Sequence, residues 1–200
     1  QPGKSNVKKL SKTLKIKYIE ASFQDLKSIY KSIHDIGNAV GKTKEAKELI
    51  EEIKAKLNKS QNRLKNIKPK STLLVLGDSQ DPLRDLYAVG KKTFLDELLT
   101  LAGGENILDN TLSQYPKISR EFIISHSPEV IIIAGPNSTA KGKKSSSKKN
   151  TWRVLGSIRA VQNNNIHIID EDYILIPGPR LVNIVEKFYQ AIHSTTTTIR

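Results

Sequence analysis

The stretch from Thr43 to Ile67 constrains the fold more than any other part of the chain, because it reads as one long amphipathic helix. Ala46, Leu49, Ile50, Ile53, Leu57, Leu64 and Ile67 recur at three- and four-residue steps with no Gly or Pro between them. Thr43 is placed to cap its start. Glu45, Glu48, Glu51 and Glu52 sit toward its N-terminal half, and Lys54, Lys56, Lys59, Arg63 and Lys65 fill the other half, which suits the helix dipole. Lys68-Pro69 ends it. At about 1.5 Å per residue it spans roughly 37 Å, enough to cross a small domain. The chain before it and the chain after it can therefore belong to two separate lobes.

Before the helix, Val7, Leu10 and Leu14 suit one face of a short helix, and Ile16 to Ile19 suits a strand. Ser22 followed by Asp25 resembles a capping arrangement. Phe23, Leu26, Ile29, Tyr30, Ile33 and Ile36 then give a second amphipathic helix, closed near Gly37. One strand and two helices cannot make a sheet. After the long helix the pattern alternates. Thr72 to Leu76, Val130 to Ala134 and Ile166 to Ile169 are apolar runs of the kind parallel sheets bury. Between and after them come a helix through Phe94, Leu95, Leu98, Leu99 and Leu101 that stops at Gly103-Gly104, a short helix capped by Ser119, and a last helix opened by Pro179. The fold class is α/β: an open parallel-sheet lobe with right-handed crossovers, carrying a long helix and part of another lobe.

The chain carries 33 Lys+Arg against 20 Asp+Glu, a formal net charge of +13. Such a balance suits nucleic acid, an anionic membrane surface or an anionic ligand. The lysines are spread over the whole chain, so a solvated lysine-rich surface is the plainer reading. Only Lys141 to Lys149 is concentrated, and without interleaved aromatics it reads as a mobile loop. Cysteine is absent, which excludes disulfides, thiol catalysis and thiolate metal sites. No apolar run approaches the roughly 20 residues of a membrane span. The chain starts Gln-Pro-Gly and holds no Met, the pattern of a processed mature chain or a fragment.

No catalytic constellation stands out, and the chain reads as a non-enzyme. His34, His126, His167 and His193 are isolated from one another, with no ligand-like partner at helical or strand spacing, and suit structural or surface roles. Gly37 to Thr43 ends like a phosphate-binding loop but has three residues between its glycines where the motif needs four. Gly90-Lys91-Lys92-Thr93 has Asp85 where the first glycine belongs. The loops after the strands are where an open α/β sheet places ligands. They carry Arg84 and Tyr87, then Tyr115, then Trp152, then Asp172, Tyr173 and Arg180. Aromatics and a few charges on one edge suit a cleft for a bulky ring-bearing or chelated ligand. Tyr87 and Tyr115 equally fit ordinary half-buried tyrosines.

Three segments in order, Gly90 to Ile107, Tyr115 to Ile133 and Pro177-Gly-Pro-Arg-Leu181, resemble the cobalamin, haem and ferric-siderophore binding proteins of ABC importers. The resemblance runs from about residue 6 to 193. It implies two α/β lobes joined by one rigid helix: residues 1–42 as the end of an incomplete N-terminal lobe, 43–68 as the interlobe helix, and 71–200 as the C-terminal lobe. It implies a periplasmic or membrane-anchored, extracytoplasmic binding protein. The ligand would be a metal chelate (ferric siderophore, cobalamin or haem), with no cofactor and no metal ligands from the protein. By position, Tyr87, Tyr115, Arg84, Asp172, Tyr173 and Arg180 match ligand-cleft residues, Arg180 also suiting a structural role at the helix start. Glu121 matches an acidic residue that docks to the permease. The alternative that the charge allows is a basic nucleic-acid-binding or interaction module, which leaves the Ser119-Arg120-Glu121 and Pro177 to Arg180 segments unexplained.

Overall fold

The computed structural model describes residues 2–16, 18–77, 86–108, 113–135 and 151–194. Four parallel strands, β1 (Lys70–Leu76), β3 (Gly104–Asn106), β5 (Val130–Ala134) and β6 (Ile166–Ile169), form one sheet in the order β3-β1-β5-β6. A two-stranded antiparallel ribbon, β2 (Leu86–Tyr87) with β4 (Lys117–Ile118), stands beside it. After the long helix the sequence reading has three strands. It misses β2, β3 and β4, which at two or three residues each are too short to show a period and exist only through their partners.

Strand alternation sorts the core into two layers. Leu73, Val75, Ile131 and Ile133 face one side with Leu86, Ile123, Trp152, Leu155 and Ile158. Leu74, Val130, Ile132 and Ala134 face the other with Ile53, Leu57, Leu98, Leu99, Ile184 and Phe188. The strands are apolar throughout because both faces are covered. The first layer is closed by α5 (Arg120–His126), a 3-10 turn (Trp152–Leu155) and α6 (Arg159–Gln162). The second is closed by α3 (Thr43–Asn62), α4 (Phe94–Leu101) and α7 (Leu181–His193).

The long helix α3 ends at Asn62, five residues before the expected end, which shortens it to about 30 Å. Tertiary contacts hold its end: Arg63 pairs with Glu186 of α7 at 2.7 Å and Leu64 lies against Gly103, after which a turn closed by the Ile67 N–H on the Leu64 carbonyl swings the chain into β1. Thr43 is its first helical residue and does not cap it. Lys42 holds the cap position without a side-chain hydrogen bond. Along its surface Lys42–Glu45, Lys54–Glu51 and Lys56–Glu52 are ion pairs, so much of the lysine here is neutralised locally.

The helix α2 (Leu26–Ala39) is capped by Asp25 rather than Ser22. Asp25 Oδ1 accepts the Ser28 N–H at 2.7 Å and the Ser28 hydroxyl accepts the Asp25 N–H at 3.1 Å, while the Ser22 N–H donates to the Ser32 hydroxyl. Gly37 lies inside this helix, not at its end. A Cβ there would sit 2.4 Å from Ala46 Cβ, so the glycine lets α2 and α3 approach closely, and the turn to α3 is made at Gly41 (φ +73°). Both glycines of this segment are thus part of a helix–turn–helix, with no strand before them. Ile29 is fully buried in the same layer as Phe188. Two further bonds tie α2's start to α4: the Phe94 N–H donates to the Gln24 carbonyl, and the Leu26 N–H to Glu97 Oε2 at 2.7 Å.

Ahead of α2, α1 (Pro2–Leu14) forms as expected, yet Val7, Leu10 and Leu14 are exposed. Ile16, Tyr18 and Ile19 are not a strand, because no strand lies alongside to accept their ladder. Among the described residues no helix is long and apolar enough to cross a membrane. Lys141 to Lys149 falls outside the described residues.

A partly exposed network where β1 and β5 begin contributes to the pH dependence of stability. Glu129 accepts the Ser71 N–H at 3.0 Å and its hydroxyl at 3.1 Å, with Arg159 Nη1 3.9 Å away. The Ser71 N–H first, then its hydroxyl and Arg159, hold the Glu129 carboxyl below its ordinary value against the opposing effect of burial. A lowered folded value means that this contribution is present above the unfolded carboxylate value of about 4.3 and is lost as pH falls through the folded one. We expect Glu129→Gln to be less stable than wild type at pH 7, with the gap closing as pH falls below about 4. Urea midpoints taken from pH 7 to 3 check this. A gap that stays constant over that range would remove Glu129 as the titrating group.

Candidate ligand edge of the sheet

The three strands that end together are β1, β5 and β6. Past their ends the Gly77 N–H donates to the Ala134 carbonyl at 2.8 Å and the Gly135 N–H to the Ile169 carbonyl at 3.1 Å, so the strands stay paired up to their exits. Gly135 has φ +145°, and a Cβ on it would lie 3.4 Å from the Gly77 nitrogen. A side chain there would be strained, and the chain crosses this edge by its backbone alone. The ends of parallel strands such as these are where open α/β sheets place ligands.

Tyr87 reaches this region on β2, and Tyr115 just ahead of β4. Val75 bridges Ala88 and the Val89 N–H donates to the Leu74 carbonyl, so the chain after Tyr87 lies along the free half of β1 that β3 leaves uncovered. Tyr87 stands opposite Lys117, and the register continues as Ala88 N–H to Pro116 carbonyl (2.9 Å) and Gly90 N–H to Gln114 carbonyl (2.8 Å). Tyr115 lies in a bend just ahead of β4, two residues before the Lys117 that pairs with Tyr87. Tyr87 is 48% and Tyr115 37% exposed. Burial pushes the Tyr115 phenol above its ordinary value, which keeps it a neutral hydrogen-bonding group.

Asp172, Tyr173 and Arg180 are brought together after β6. Arg180 Nη1 lies 3.4 Å from Asp172 Oδ1 and the guanidinium sits 5.0 Å from the Tyr173 ring centroid. The cation stacks on the ring and pairs with the acid in one arrangement. Tyr173 is anchored by its neighbours: Ile174 is fully buried, and Glu171 pairs with Lys187 of α7, which lowers the Glu171 carboxyl. Ile176, exposed at the same turn, is an apolar residue that the sequence reading passes over. Its signal was its place two residues before Gly178. Trp152, expected on this edge, is instead fully buried between β-sheet and α5, because the 3-10 turn carries it under the sheet. Arg84 lies outside the described residues.

Glu121 is in the first turn of α5, where Ser119 caps the helix by accepting the Phe122 N–H at 3.2 Å. Its own N–H and then the Ser119 hydroxyl lower its carboxyl. It is a fixed, exposed negative charge. The four histidines are engaged elsewhere. His34 lies 3.2 Å from the Asn38 amide on α2, and His126 stacks on Phe122 at the end of α5. His167 contacts Asn165 at 2.7 Å at the start of β6, and His193 the Ala102 carbonyl at 3.0 Å at the end of α7.

The sequence profile of a family described as periplasmic binding protein matches residues 7–173. The chain belongs to the periplasmic binding protein family. It is 30% identical over 176 residues to an uncharacterized ABC transporter substrate-binding lipoprotein, YvrC, of Bacillus subtilis (strain 168), covering 86% of this chain and 52% of that protein. It is 25% identical over 174 residues to the high-affinity heme uptake system protein IsdE of Staphylococcus aureus (strain bovine RF122 / ET3-1), covering 84% and 57%. Among solved structures, a possible iron-binding (periplasmic solute-binding) protein from Staphylococcus epidermidis ATCC 12228 superposes with a TM-score of 0.77 at 25% identity, over 94% of this chain and 71% of that one. This periplasmic binding protein thus spans about half the length of the relatives it matches.

Proposed function

We propose that this periplasmic binding protein is the extracytoplasmic substrate-binding component of an ABC importer, holding a metal chelate and presenting it to the permease. In this reading α3 is the interlobe helix within residues 43–68, residues 71–200 are the C-terminal lobe and residues 1–42 belong to the N-terminal one. The observation that carries it is the pair of half-exposed tyrosines, Tyr87 on β2 and Tyr115 just ahead of its partner β4, together with the Tyr173–Arg180–Asp172 group after β6. Flat aromatic faces with a few polar groups suit a ligand recognised by shape and stacking. No bond is made or broken, so no nucleophile or acid–base pair is required. In the same reading Arg84 is a ligand contact by resemblance alone, and Glu121 supplies the charge that orients the permease.

The test is a titration with cyanocobalamin, a ferric trihydroxamate and iron protoporphyrin, followed by quenching of Trp152 and the tyrosines with correction for absorbance. It is run on this chain and on a longer one that adds the family's opening strands upstream. Saturable quenching by one chelate in either chain supports the reading. Glu121→Lys should then leave that affinity unchanged while uptake through the cognate permease falls at least about tenfold. No saturable response in either chain would sink the reading.

A further inference from the structure

We propose that the groove between α2, α3 and α4 is a second binding site, which takes a small organic cation: a primary ammonium carried on an apolar ring or chain. The groove has a volume of about 750 Å³, within the range of small-molecule sites. Leu26 and Tyr30, four apart on α2, line it from one side, and Glu97 and Leu101, four apart on α4, from the other, with Thr100 beside them and Lys54 contributed by α3. Leu26, Tyr30 and Leu101 are half-buried against the core layer that holds Phe188, which gives the groove an apolar, packed floor. None of these residues belongs to the ligand edge, so this is a site apart from the one proposed above.

Glu97 is what points to a cation. Its Oε2 accepts the Leu26 N–H at 2.7 Å, and among the described residues its carboxylate forms no ion pair and no other hydrogen bond. Burial, with the charges of Asp25 and Asp96 adding to it, pushes that carboxyl above its ordinary value against this one hydrogen bond. A partly buried negative charge without a counter-ion is stabilised by a cation that can hydrogen-bond to it. The other charges of the groove are differently placed. Asp96 accepts from the Asn106 amide at 2.9 Å and from the Lys92 N–H at 3.1 Å. Lys54 pairs with Glu51 at 2.8 Å, its Nζ 5.6 Å from the Tyr30 ring centroid, and Lys27 is exposed at the rim. Glu97 is therefore the open acceptor, and the Tyr30 ring and two leucines supply the wall for whatever carries the ammonium. In the two-lobe reading α2 belongs to the N-terminal lobe and α4 to the C-terminal one, so an occupant adds a tie between them beside the Leu26–Glu97 bond.

The isotopically labelled chain is titrated with phenethylamine, its neutral isostere phenethyl alcohol and the anion phenylpropionate, and the amide resonances of Leu26, Tyr30, Thr100 and Leu101 are followed by NMR. The expected result is saturation by the amine with a Kd on the order of 1 mM, the alcohol and the acid binding at least about tenfold more weakly. Glu97→Gln brings the amine down to the level of the alcohol. Thr100→Arg, at an exposed position one turn from Glu97, supplies the cation from within and weakens the amine at least about tenfold, which keeps the test decisive if Glu97→Gln fails to fold. Amine and alcohol affinities within about threefold of each other, the acid binding best, an amine affinity unmoved by Thr100→Arg, or no saturable shift at these amides up to about 20 mM would each overturn the inference. No chelate enters the measurement, so each of these outcomes leaves the chelate reading where it stood.

Discussion

Phe188→Ala lowers the stability of this protein by about 3–5 kcal/mol, the range for emptying a large aromatic from a packed core. Phe188 is fully buried on α7, in the layer that gathers Ile29 from α2, Ile53 and Leu57 from α3, Leu98 and Leu99 from α4, and Leu74, Val130 and Ile132 from the sheet. Four helices and the sheet meet there. Collapse of one element into the void would strip contacts from the others, so the cavity stays largely open. For a chain of this length about 3–5 kcal/mol corresponds to a melting temperature lowered by roughly 6–20 °C. Urea denaturation at unchanged slope measures it. A loss below about 1 kcal/mol would mean that α2, α3 and α7 do not share one core. The same experiment bears on movement, since α2 and α3 can shift against the sheet only by opening this layer.

Removing both edge tyrosines, Tyr87→Ala with Tyr115→Ala, weakens chelate binding about 30-fold, or roughly 2 kcal/mol, as expected for two aromatic faces lost from a stacked ligand. The reference is Val154→Ala, which trims a side chain 72% exposed on the 3-10 turn and leaves affinity unchanged. Tyr115→Phe keeps the ring and stays within about threefold of wild type, because the phenol donates at most one hydrogen bond. Isothermal calorimetry avoids the loss of tyrosine signal. A change below about twofold in the double alanine variant would take the ribbon out of the site.

Long periods were legible. The apolar spacing of Leu26 to Ile36, Ala46 to Leu57, Phe94 to Leu101 and Leu181 to Ile192, and the unbroken runs Thr72 to Leu76, Val130 to Ala134 and Ile166 to Ile169, required helices and buried strands because each repeats one contact several times. The α/β class followed from their order, and the family resemblance from three segments in sequence. That resemblance, together with residue type, also named Tyr87, Tyr115, Asp172, Tyr173 and Arg180 as candidates.

What sequence could not carry was anything fixed by a partner distant along the chain. Leu86-Tyr87, Gly104 to Asn106 and Lys117-Ile118 are strands only because β1 and each other lie alongside. Ile16 to Ile19 has strand composition and no neighbour. The long helix ends at Asn62, where Arg63 and Leu64 are held by Glu186 and Gly103, residues far away in sequence. Trp152 went under the sheet for the same reason. By itself the sequence determined which segments are apolar and with what period, hence the elements, their order and the residue types at the strand ends. Only the tertiary structure decided that Tyr87 pairs with Lys117, two residues from Tyr115, and that Arg180 closes on Asp172 and Tyr173. Pairing register and side-chain proximity are properties of two segments at once, and no single stretch of chain encodes them.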